Sequence, residues 1–215
     1  MRAAQLTRLD GPDAVEVGEI DEPTGDGVVV EVHAAGAAFP DALLTRGLYQ
    51  YRPDPPVVLG AEIAGVVRSA PDDAHVRPGD RVVGLTMLTG GMAEVAVLGP
   101  DRVFKLPDNV SFEAGAGLLF NDLTMYFALT VRGRLQSGET VLVHGAAGGI
   151  GTSTLRLASV LGASRTIAVV STEQKGQIAT AAGANASGAI NATAISPIPF
   201  LNISAQSVVP CRRRA

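Results

Sequence analysis

Two patterns of hydrophobic positions divide the chain. Up to about residue 110, short apolar stretches such as the alternating segment 28–34 are separated by turn residues, glycine above all. This pattern is typical of short strands joined by turns. From Ser111 onward the apolar segments are longer and have helical spacing, beginning with 113–132. We therefore predict a small β-rich domain over residues 1–110 and the start of a second domain at residue 111.

The second domain contains a strand, a glycine-rich turn and a helix in direct succession. Residues 140–144 hold three consecutive aliphatic side chains, as a parallel strand covered on both faces would. The turn 145–151 follows at once and leads into 152–161, whose apolar residues have helical spacing. Gly162 then predicts the end of this helix, because glycine adopts the left-handed conformation that closes many helices.

The same order repeats once more. Residues 166–170 predict a second strand, and 173–182 predict a short helix that ends at Gly183. Strand, helix, strand, helix is the opening of a doubly wound parallel sheet. We predict that residues 111–184 form the first part of such a domain.

Residues 185–215 follow a different pattern. They are rich in Ala, Asn, Ser and Pro, and all 21 acidic residues of the chain lie at or before Glu173. Further parallel strands and amphipathic helices would be expected in a complete doubly wound domain. We predict an atypical, irregular tail on a C-terminally truncated domain. Two origins stay open: a frameshift or early stop in a longer gene, or a short variant that completes its sheet with another copy.

The composition narrows the classes of partner. A net charge of −4 provides no basic surface for nucleic acid, and the one basic run, 212–214, is expected to be a solvated tail. The single cysteine, Cys211, cannot form an internal disulfide, and no Cys or His cluster has the spacing of a zinc site. No stretch approaches about 20 uninterrupted apolar residues. We predict a cytoplasmic protein with neither a membrane nor a nucleic-acid partner.

The strongest chemical motif is the segment 141–151, VLVHGAAGGIG. A strand, a tight glycine turn and a helix start in that order predict a pyrophosphate site, because backbone N–H groups and the helix dipole hold phosphates there. Gly145, Gly148 and Gly151 are spaced by three, with Gly149 added, so the motif is not a strict GxGxxG. The alternative is a glycine turn that only packs a helix on a strand.

The end of the second strand bears on which dinucleotide is bound. Enzymes that use NAD usually carry an acid there, whereas Val170 is followed by Ser171 and Thr172. With Lys175 nearby, these side chains suit a 2′-phosphate, although the negative charge of Glu173 would repel that phosphate. The residues favour NADP(H) over NAD(H). The alternative for Lys175 is an ordinary exposed helix lysine.

Seven short segments along the chain carry a family resemblance. They are 35–41 with 47–49, 60–65 (GAEIAG), 79–84 (GDRVVG), 90–94 (GGMAE), 105–108 (KLPD), 123–126 (LTMY) and 144–151 (HGAAGGIG). In this order they resemble the quinone-oxidoreductase branch of the medium-chain dehydrogenase/reductase superfamily, over nearly everything up to Ala184. The resemblance implies an α/β plus β fold, with a GroES-like substrate domain followed by an incomplete Rossmann domain.

The resemblance also implies a reaction. Relatives pass hydride from NADPH to a quinone or another α,β-unsaturated carbonyl. The zinc alcohol dehydrogenases of the same superfamily have a histidine where this chain has Ala61, and their metal-binding cysteine has no counterpart before Cys211. A zinc-independent enzyme is therefore expected, with Glu62 as a structural residue rather than a ligand.

Site residues follow from the resemblance, position by position. The cofactor contacts that it implies are Thr124 to the nicotinamide carboxamide, the N–H groups of Gly148, Gly149 and Ile150 to the pyrophosphate, and Ser171 and Lys175 to the 2′-phosphate. Tyr49 matches a tyrosine of the substrate cleft, where its hydroxyl would polarise the substrate carbonyl. The alternative for Tyr49 is a packing role at the mouth of the β domain.

Two departures from the family pattern weigh against catalysis. Relatives usually have an asparagine where this chain has Ala38, and we expect the nearby Asp41 to hold local structure. Relatives also have Ile-Asn-Tyr where this chain reads Ile190, Asn191, Ala192. Two functions therefore stay open: an NADPH-dependent reductase of quinones or enones, and a truncated non-catalytic remnant or NADPH-binding protein without turnover. Self-association through an unpaired sheet edge is open as well.

Overall fold

The computed structural model describes residues 1–188, 201–204 and 207–210. Two compact units make up the chain, Met1–Phe120 and Asn121–Ala215. The boundary between them thus lies beyond the predicted position at residue 110. Cys211, the basic run 212–214 and the segment 190–192, on which some of the sequence predictions rest, lie outside the described residues.

The first unit is β-rich, as predicted, and contains two sheets. The strands are β1 (Arg2–Leu6), β2 (Val15–Glu19), β3 (Val28–Gly36), β4 (Val57–Val58), β5 (Glu62–Ser69), β6 (Arg81–Leu85), β7 (Val95–Leu98) and β8 (Val103–Lys105). Strands β2, β1 and β4 form an antiparallel three-stranded sheet, and β7, β3, β5, β6 and β8 form a five-stranded one in that order. Two short helices accompany them, α1 (Phe39–Leu44) and α2 (Phe112–Gly115).

The core of the five-stranded sheet comes from its alternating apolar positions. Val28 and Val30 of β3 are fully buried, and they pack with Ile63 of β5 in one cluster. β5 pairs antiparallel with β3, and a Cβ at Gly65 of β5 would lie 2.0 Å from the carbonyl oxygen of Glu31 in β3. Only glycine fits this close approach, because real Cβ atoms do not come so near a backbone oxygen.

The position of the boundary has a packing reason. A second apolar cluster of the first unit is formed by Ala64, Val83, Leu106 and Ala116, with Phe112 and Leu119 packed against it. Ser111 starts α2 by accepting a hydrogen bond from the Ala114 N–H, 3.2 Å away. Residues 111–120 therefore belong with the β domain, although their sequence has the helical spacing of the domain that follows.

The described strands of the second unit are β9 (Thr140–His144), β10 (Arg165–Val169), β11 (Ala186–Gly188), β12 (Leu201–Ser204) and β13 (Ser207–Pro210), and its helices are α3 (Thr124–Phe127), α4 (Gly149–Val160) and α5 (Glu173–Ala181). These strands form a five-stranded sheet with the order β11-β10-β9-β12-β13. Strands β11, β10, β9 and β12 are parallel, and β13 pairs antiparallel with β12. This confirms the predicted doubly wound opening. Gly162 and Gly183, with φ of 92° and 104°, follow α4 and α5 as predicted.

The tail differs from its predicted irregular structure in its described part. Three short strands, β11, β12 and β13, lie within the range 185–215. Strand β12 pairs with the side of β9 that β10 leaves open. An unpaired strand edge exposes backbone N–H and C=O groups that need partners, so pairing forms here even though the sequence lacks strand periodicity.

The helical run 112–132 is less regular than its sequence predicts. It consists of α2, α3 and two π-helical turns, Leu119–Leu123 and Ala128–Arg132, rather than one helix. By length and composition alone the run is apolar enough to cross a membrane. A core helix of a soluble protein meets the same criterion, so this property by itself does not indicate a membrane protein.

Replacing Gly65 by alanine tests the close approach of β5 to β3. We expect Gly65→Ala to lower the free energy of unfolding by about 1–3 kcal/mol, because the new Cβ must displace backbone in a packed core. Gly18→Ala is the matched control, since a Cβ at Gly18 in β2 would meet nothing within 4 Å among the residues that the structure describes. Denaturant unfolding of both variants measures the difference. Equal effects of the two substitutions would contradict this close approach.

Candidate nucleotide-binding site

A tight glycine turn connects β9 to α4. Gly145 leaves the strand with φ of 61°, a conformation that glycine adopts without steric cost. The carbonyl of Gly145 accepts a hydrogen bond of 3.0 Å from the Gly148 N–H, and Gly148 is the N-cap residue of the 12-residue helix α4. The turn therefore delivers the chain from the end of a buried strand directly into a helix start.

The glycines of this turn have different roles. A Cβ at Gly151 would lie 2.4 Å from the Gly145 carbonyl oxygen and 2.6 Å from the Cα of Ala146, so the first turn of α4 packs directly on the backbone of the loop. Within the described ranges, a Cβ at Gly148 would meet only the Gly145 oxygen, at 3.4 Å. Gly151 is therefore required by packing, whereas Gly148 lies at the exposed side of the turn.

The helix start offers backbone donors. The N–H groups of Gly149 and Ile150 have no acceptor within the described part of the chain, and no side chain caps the helix. Such N–H groups, with the positive end of the helix dipole, bind anions. The Gly148 N–H is already used inside the turn, which the sequence did not reveal. The assignment of all three residues to a pyrophosphate stays a prediction.

The sheet topology favours the same place. The chain runs outward from β9 through β10 to β11 and then returns to the other side of β9 with β12. Ligands of doubly wound sheets bind at the carboxyl ends of the strands where the order reverses in this way. That point is the end of β9, at His144, where the glycine turn begins.

Ser171 and Lys175 lie together at the end of the neighbouring strand. The ammonium group of Lys175 donates a hydrogen bond of 3.0 Å to the hydroxyl of Ser171. Thr172 accepts from the Lys175 N–H at 3.3 Å and so begins α5. All three residues are exposed. An open cleft beside α5, lined by residues that include Thr172 and Glu173, starts next to this pair.

Two further polar residues, Asn121 and Asp122, contact α4. The amide nitrogen of Asn121 lies 2.8 Å from the position that a Cβ of Gly149 would take. Asp122 accepts hydrogen bonds from the Ser153 hydroxyl and, at 3.1 Å, from Arg156. Neither residue was predicted from the sequence. The available signal was an Asn-Asp pair inside an otherwise apolar helical run.

The remaining predicted cofactor residue, Thr124, is the exposed first residue of α3, two positions after Asp122. Tyr49 belongs to the first unit. Its half-buried ring packs against the apolar cluster around Leu6, Leu44 and Leu59. The ring therefore has the packing contact that the sequence offered as the alternative role of Tyr49. A catalytic role for the Tyr49 hydroxyl stays a prediction.

Two buried acids of the first unit hold local structure. Asp41 accepts the N–H groups of Ala38 at 2.7 Å and Gly60 at 3.3 Å. Burial raises the pKa of Asp41 above its ordinary value, while these N–H groups act in the opposite direction. Glu62, which is 3% exposed, accepts the Phe120 N–H at 2.9 Å. Both geometries agree with the structural roles expected from the sequence.

Metal-binding side chains do not converge in the part of the chain that is described. Among residues 1–188, 201–204 and 207–210, no group of three or more His, Cys, Asp or Glu side chains is arranged to hold a metal ion. Ala61, at the position of the zinc-enzyme histidine, is 1% exposed and offers no donor atom.

Known proteins resemble the chain in both units. Residues 24–108 match the alcohol dehydrogenase GroES-like domain. A quinone oxidoreductase-like protein 2 homolog of Nematostella vectensis is 38% identical over 187 residues, which cover 83% of this chain and 51% of the relative. A probable oxidoreductase from Mycobacterium abscessus is 42% identical with a TM-score of 0.82, covering 87% of this chain and 60% of that one. Over the matched residues, the chain is similar to members of the medium-chain dehydrogenase/reductase superfamily.

Within this superfamily, the quinone oxidoreductases are among the relatives of known structure. Escherichia coli quinone oxidoreductase complexed with NADPH is 33% identical, with a TM-score of 0.78, and the match covers 87% of this chain and 58% of that one. The chain spans about half the length of the curated relatives that it matches. The superfamily's GroES-like domain is therefore present together with the opening strands and helices of its Rossmann domain.

Substitutions at two glycines of the turn test which of them is required by packing. We expect Gly151→Ala to lower the free energy of unfolding by about 1–3 kcal/mol, because its Cβ would collide with the backbone at Gly145. Gly148→Ala adds an ordinary contact and should change stability by less than about 0.5 kcal/mol. Denaturant unfolding of the two variants is the measurement. A tolerated alanine at 151 would mean that the turn is not packed as described.

Proposed function

We propose that this chain is an NADPH-dependent oxidoreductase that transfers hydride to a quinone or another α,β-unsaturated carbonyl without catalytic zinc. The observation that carries the proposal is the glycine turn at the end of β9. It leaves the N–H groups of Gly149 and Ile150 without an acceptor among the described residues, at a helix N-terminus where an anion would be stabilised. When bound, the cofactor supplies the reducing hydride, and the protein holds and orients it.

The phosphate-binding part of the proposal rests on backbone groups. Gly148 is exposed and has no side chain, so a pyrophosphate could approach the helix start closely from this side. The N–H groups of Gly149 and Ile150 would donate to its oxygens, and the dipole of α4 would stabilise its charge. Gly148 would line this approach, while its own N–H keeps the bond to Gly145.

Selection of NADPH over NADH is assigned to Ser171 and Lys175. Their polar atoms lie 3.0 Å apart, close enough for both to bind one phosphate group. The ammonium of Lys175 would neutralise part of the 2′-phosphate charge, and the Ser171 hydroxyl would donate to a phosphate oxygen. Glu173 begins α5 nearby and is exposed, so water screens its opposing charge.

Relatives support this cofactor. The quinone oxidoreductases of Escherichia coli and Thermus thermophilus, 33% and 34% identical to this chain, have both been solved in complex with NADPH. In our proposal Thr124 binds the nicotinamide carboxamide in the same cofactor. The exposed position of Thr124 at the start of α3 is compatible with that contact.

The proposed substrate and the absence of zinc rest on Tyr49 and on the side chains that could bind a metal. The Tyr49 ring is held by the apolar cluster of the first unit, which would keep its hydroxyl in place to polarise a substrate carbonyl. Two observations support a reaction without catalytic zinc. Ala61 stands where the resemblance places the zinc-binding histidine, and no three ligating side chains converge within the described residues. A net charge of −4 provides no basic surface for nucleic acid, so a small molecule is the partner of the proposed cytoplasmic enzyme.

Lys175→Ala tests the cofactor assignment. We expect the 215-residue chain to bind NADPH more tightly than NADH. Lys175→Ala should weaken NADPH binding about tenfold or more and leave NADH binding unchanged, because only NADPH carries the 2′-phosphate. Titration followed by nicotinamide fluorescence measures both constants.

Arg165→Ala is the control for this experiment. It removes an exposed cation at the opposite end of β10, away from the proposed site. Equal losses with both variants would indicate a general charge effect and contradict the assignment of Lys175. A folded wild type that binds neither cofactor would contradict the proposed function itself.

Tyr49→Phe tests the substrate assignment. The ring would still fill its apolar cluster, so stability and NADPH binding should stay unchanged. We expect kcat/KM with a small quinone to fall about tenfold, because a hydrogen bond to the carbonyl is lost. Steady-state turnover with NADPH is the measurement. Unchanged turnover would leave Tyr49 with its packing role alone, and a wild type that binds NADPH without turnover would favour the non-catalytic alternative.

A further inference from the structure

Two consecutive polar residues, Asn121 and Asp122, contact one face of α4. Asn121 lies beside Gly149, and Asp122 binds Ser153 and Arg156. Positions 149, 153 and 156 follow each other at helical spacing along a single stripe of α4. The segment before α3 is therefore attached to α4 over its first two turns, starting at the helix end to which we assign the phosphate.

Asp122 makes the stronger of the two attachments. The hydroxyl of Ser153, a fully buried residue, donates to the Asp122 carboxylate, and Arg156 donates to the same oxygen at 3.1 Å. The Asp122 side chain is only 21% exposed. A carboxylate with a buried hydroxyl donor and a cation beside it holds its geometry better than a fully solvated pair would.

Asn121 is the residue whose place this attachment determines. Its amide nitrogen is the atom nearest to the missing Cβ of Gly149, at 2.8 Å. The N–H of Gly149 itself has no acceptor among the residues that the structure describes. The Asn121 carboxamide therefore lies beside an open backbone donor, where it would add a neutral N–H donor to an anion site without adding charge.

We propose that Asp122 is a positioning residue of the cofactor site, which holds Asn121 where its carboxamide donates a hydrogen bond to the bound pyrophosphate. This inference rests on the proposed function. It also explains how an acid is accommodated next to an anion site. Arg156 and Ser153 donate hydrogen bonds to the same carboxylate oxygen of Asp122, so the negative charge of Asp122 is compensated on the side that faces α4.

A double-mutant cycle tests the inference. In the 215-residue chain, we expect Asn121→Ala and Asp122→Ala each to weaken NADPH binding about tenfold. The double variant should bind no more weakly than either single variant, because Asp122 acts through Asn121. Fluorescence titration gives the four dissociation constants. Losses that simply multiply in the double variant would overturn the inference.

Further variants separate positioning from a loss of stability. Asp122→Asn keeps an acceptor for Ser153, so its dissociation constant should stay within about threefold of the wild type. Thr166→Val removes another buried hydroxyl, bonded to the Gly183 carbonyl at 2.9 Å and lying at the far end of β10. It should lower stability and leave NADPH binding unchanged. Weaker binding by Thr166→Val that matches Asp122→Ala would overturn the inference.

Should Asp122→Ala fail to fold, Ser153→Ala takes its place in the cycle, because it removes the contact between Ser153 and Asp122 from the side of α4. Two remaining outcomes are also decisive. A folded wild type that does not bind NADPH would overturn the proposed function and this inference with it. Binding by the wild type together with independent effects of residues 121 and 122 would overturn the inference alone.

Discussion

The close approach of α4 to the turn before it is the contact on which the second unit depends. Because residue 151 has no Cβ, the helix packs directly against the backbone of Gly145 and Ala146. This approach determines where the N–H groups of Gly149 and Ile150 lie relative to the end of β9. It also fixes the next turn of α4, which carries the side chains that bind Asp122. One backbone contact thus governs both the proposed phosphate site and the attachment of the segment before α3.

The two ends of the proposed cofactor site would bind phosphate by different physical means. At the end of β9 the donors are neutral N–H groups with a helix dipole, and this arrangement loses no side-chain entropy when a ligand binds. At the end of β10 a flexible, exposed lysine supplies a full charge, assisted by a serine hydroxyl. The first arrangement suits a group that all dinucleotides share, and the second suits a group that only NADPH carries.

Much of this structure follows from local sequence, and the rest depends on long-range contacts. The three aliphatic residues before Gly145 predicted β9, and Gly162 and Gly183 predicted two helix ends, because each signal lies within a few residues of its effect. The first compact unit extends to Phe120, past the predicted boundary at residue 110, since Phe112 and Leu119 pack on strands of the first unit that are distant in sequence. The pairing of β12 with β9 and the contact of Asp122 with Ser153 were missed for the same reason.

The Gly148 N–H illustrates why a motif alone cannot assign every donor. Spacing predicts three N–H groups for a phosphate, yet the turn closes through a bond from Gly148 to the Gly145 carbonyl. A donor used in this way is not available without opening the turn, and opening it would disturb the contact of Gly151 with the same carbonyl. A neutral side-chain donor beside the helix start would replace the lost hydrogen bond. Asn121 is placed to do so, and for that reason the residue that holds it bears on binding although it contacts no ligand itself.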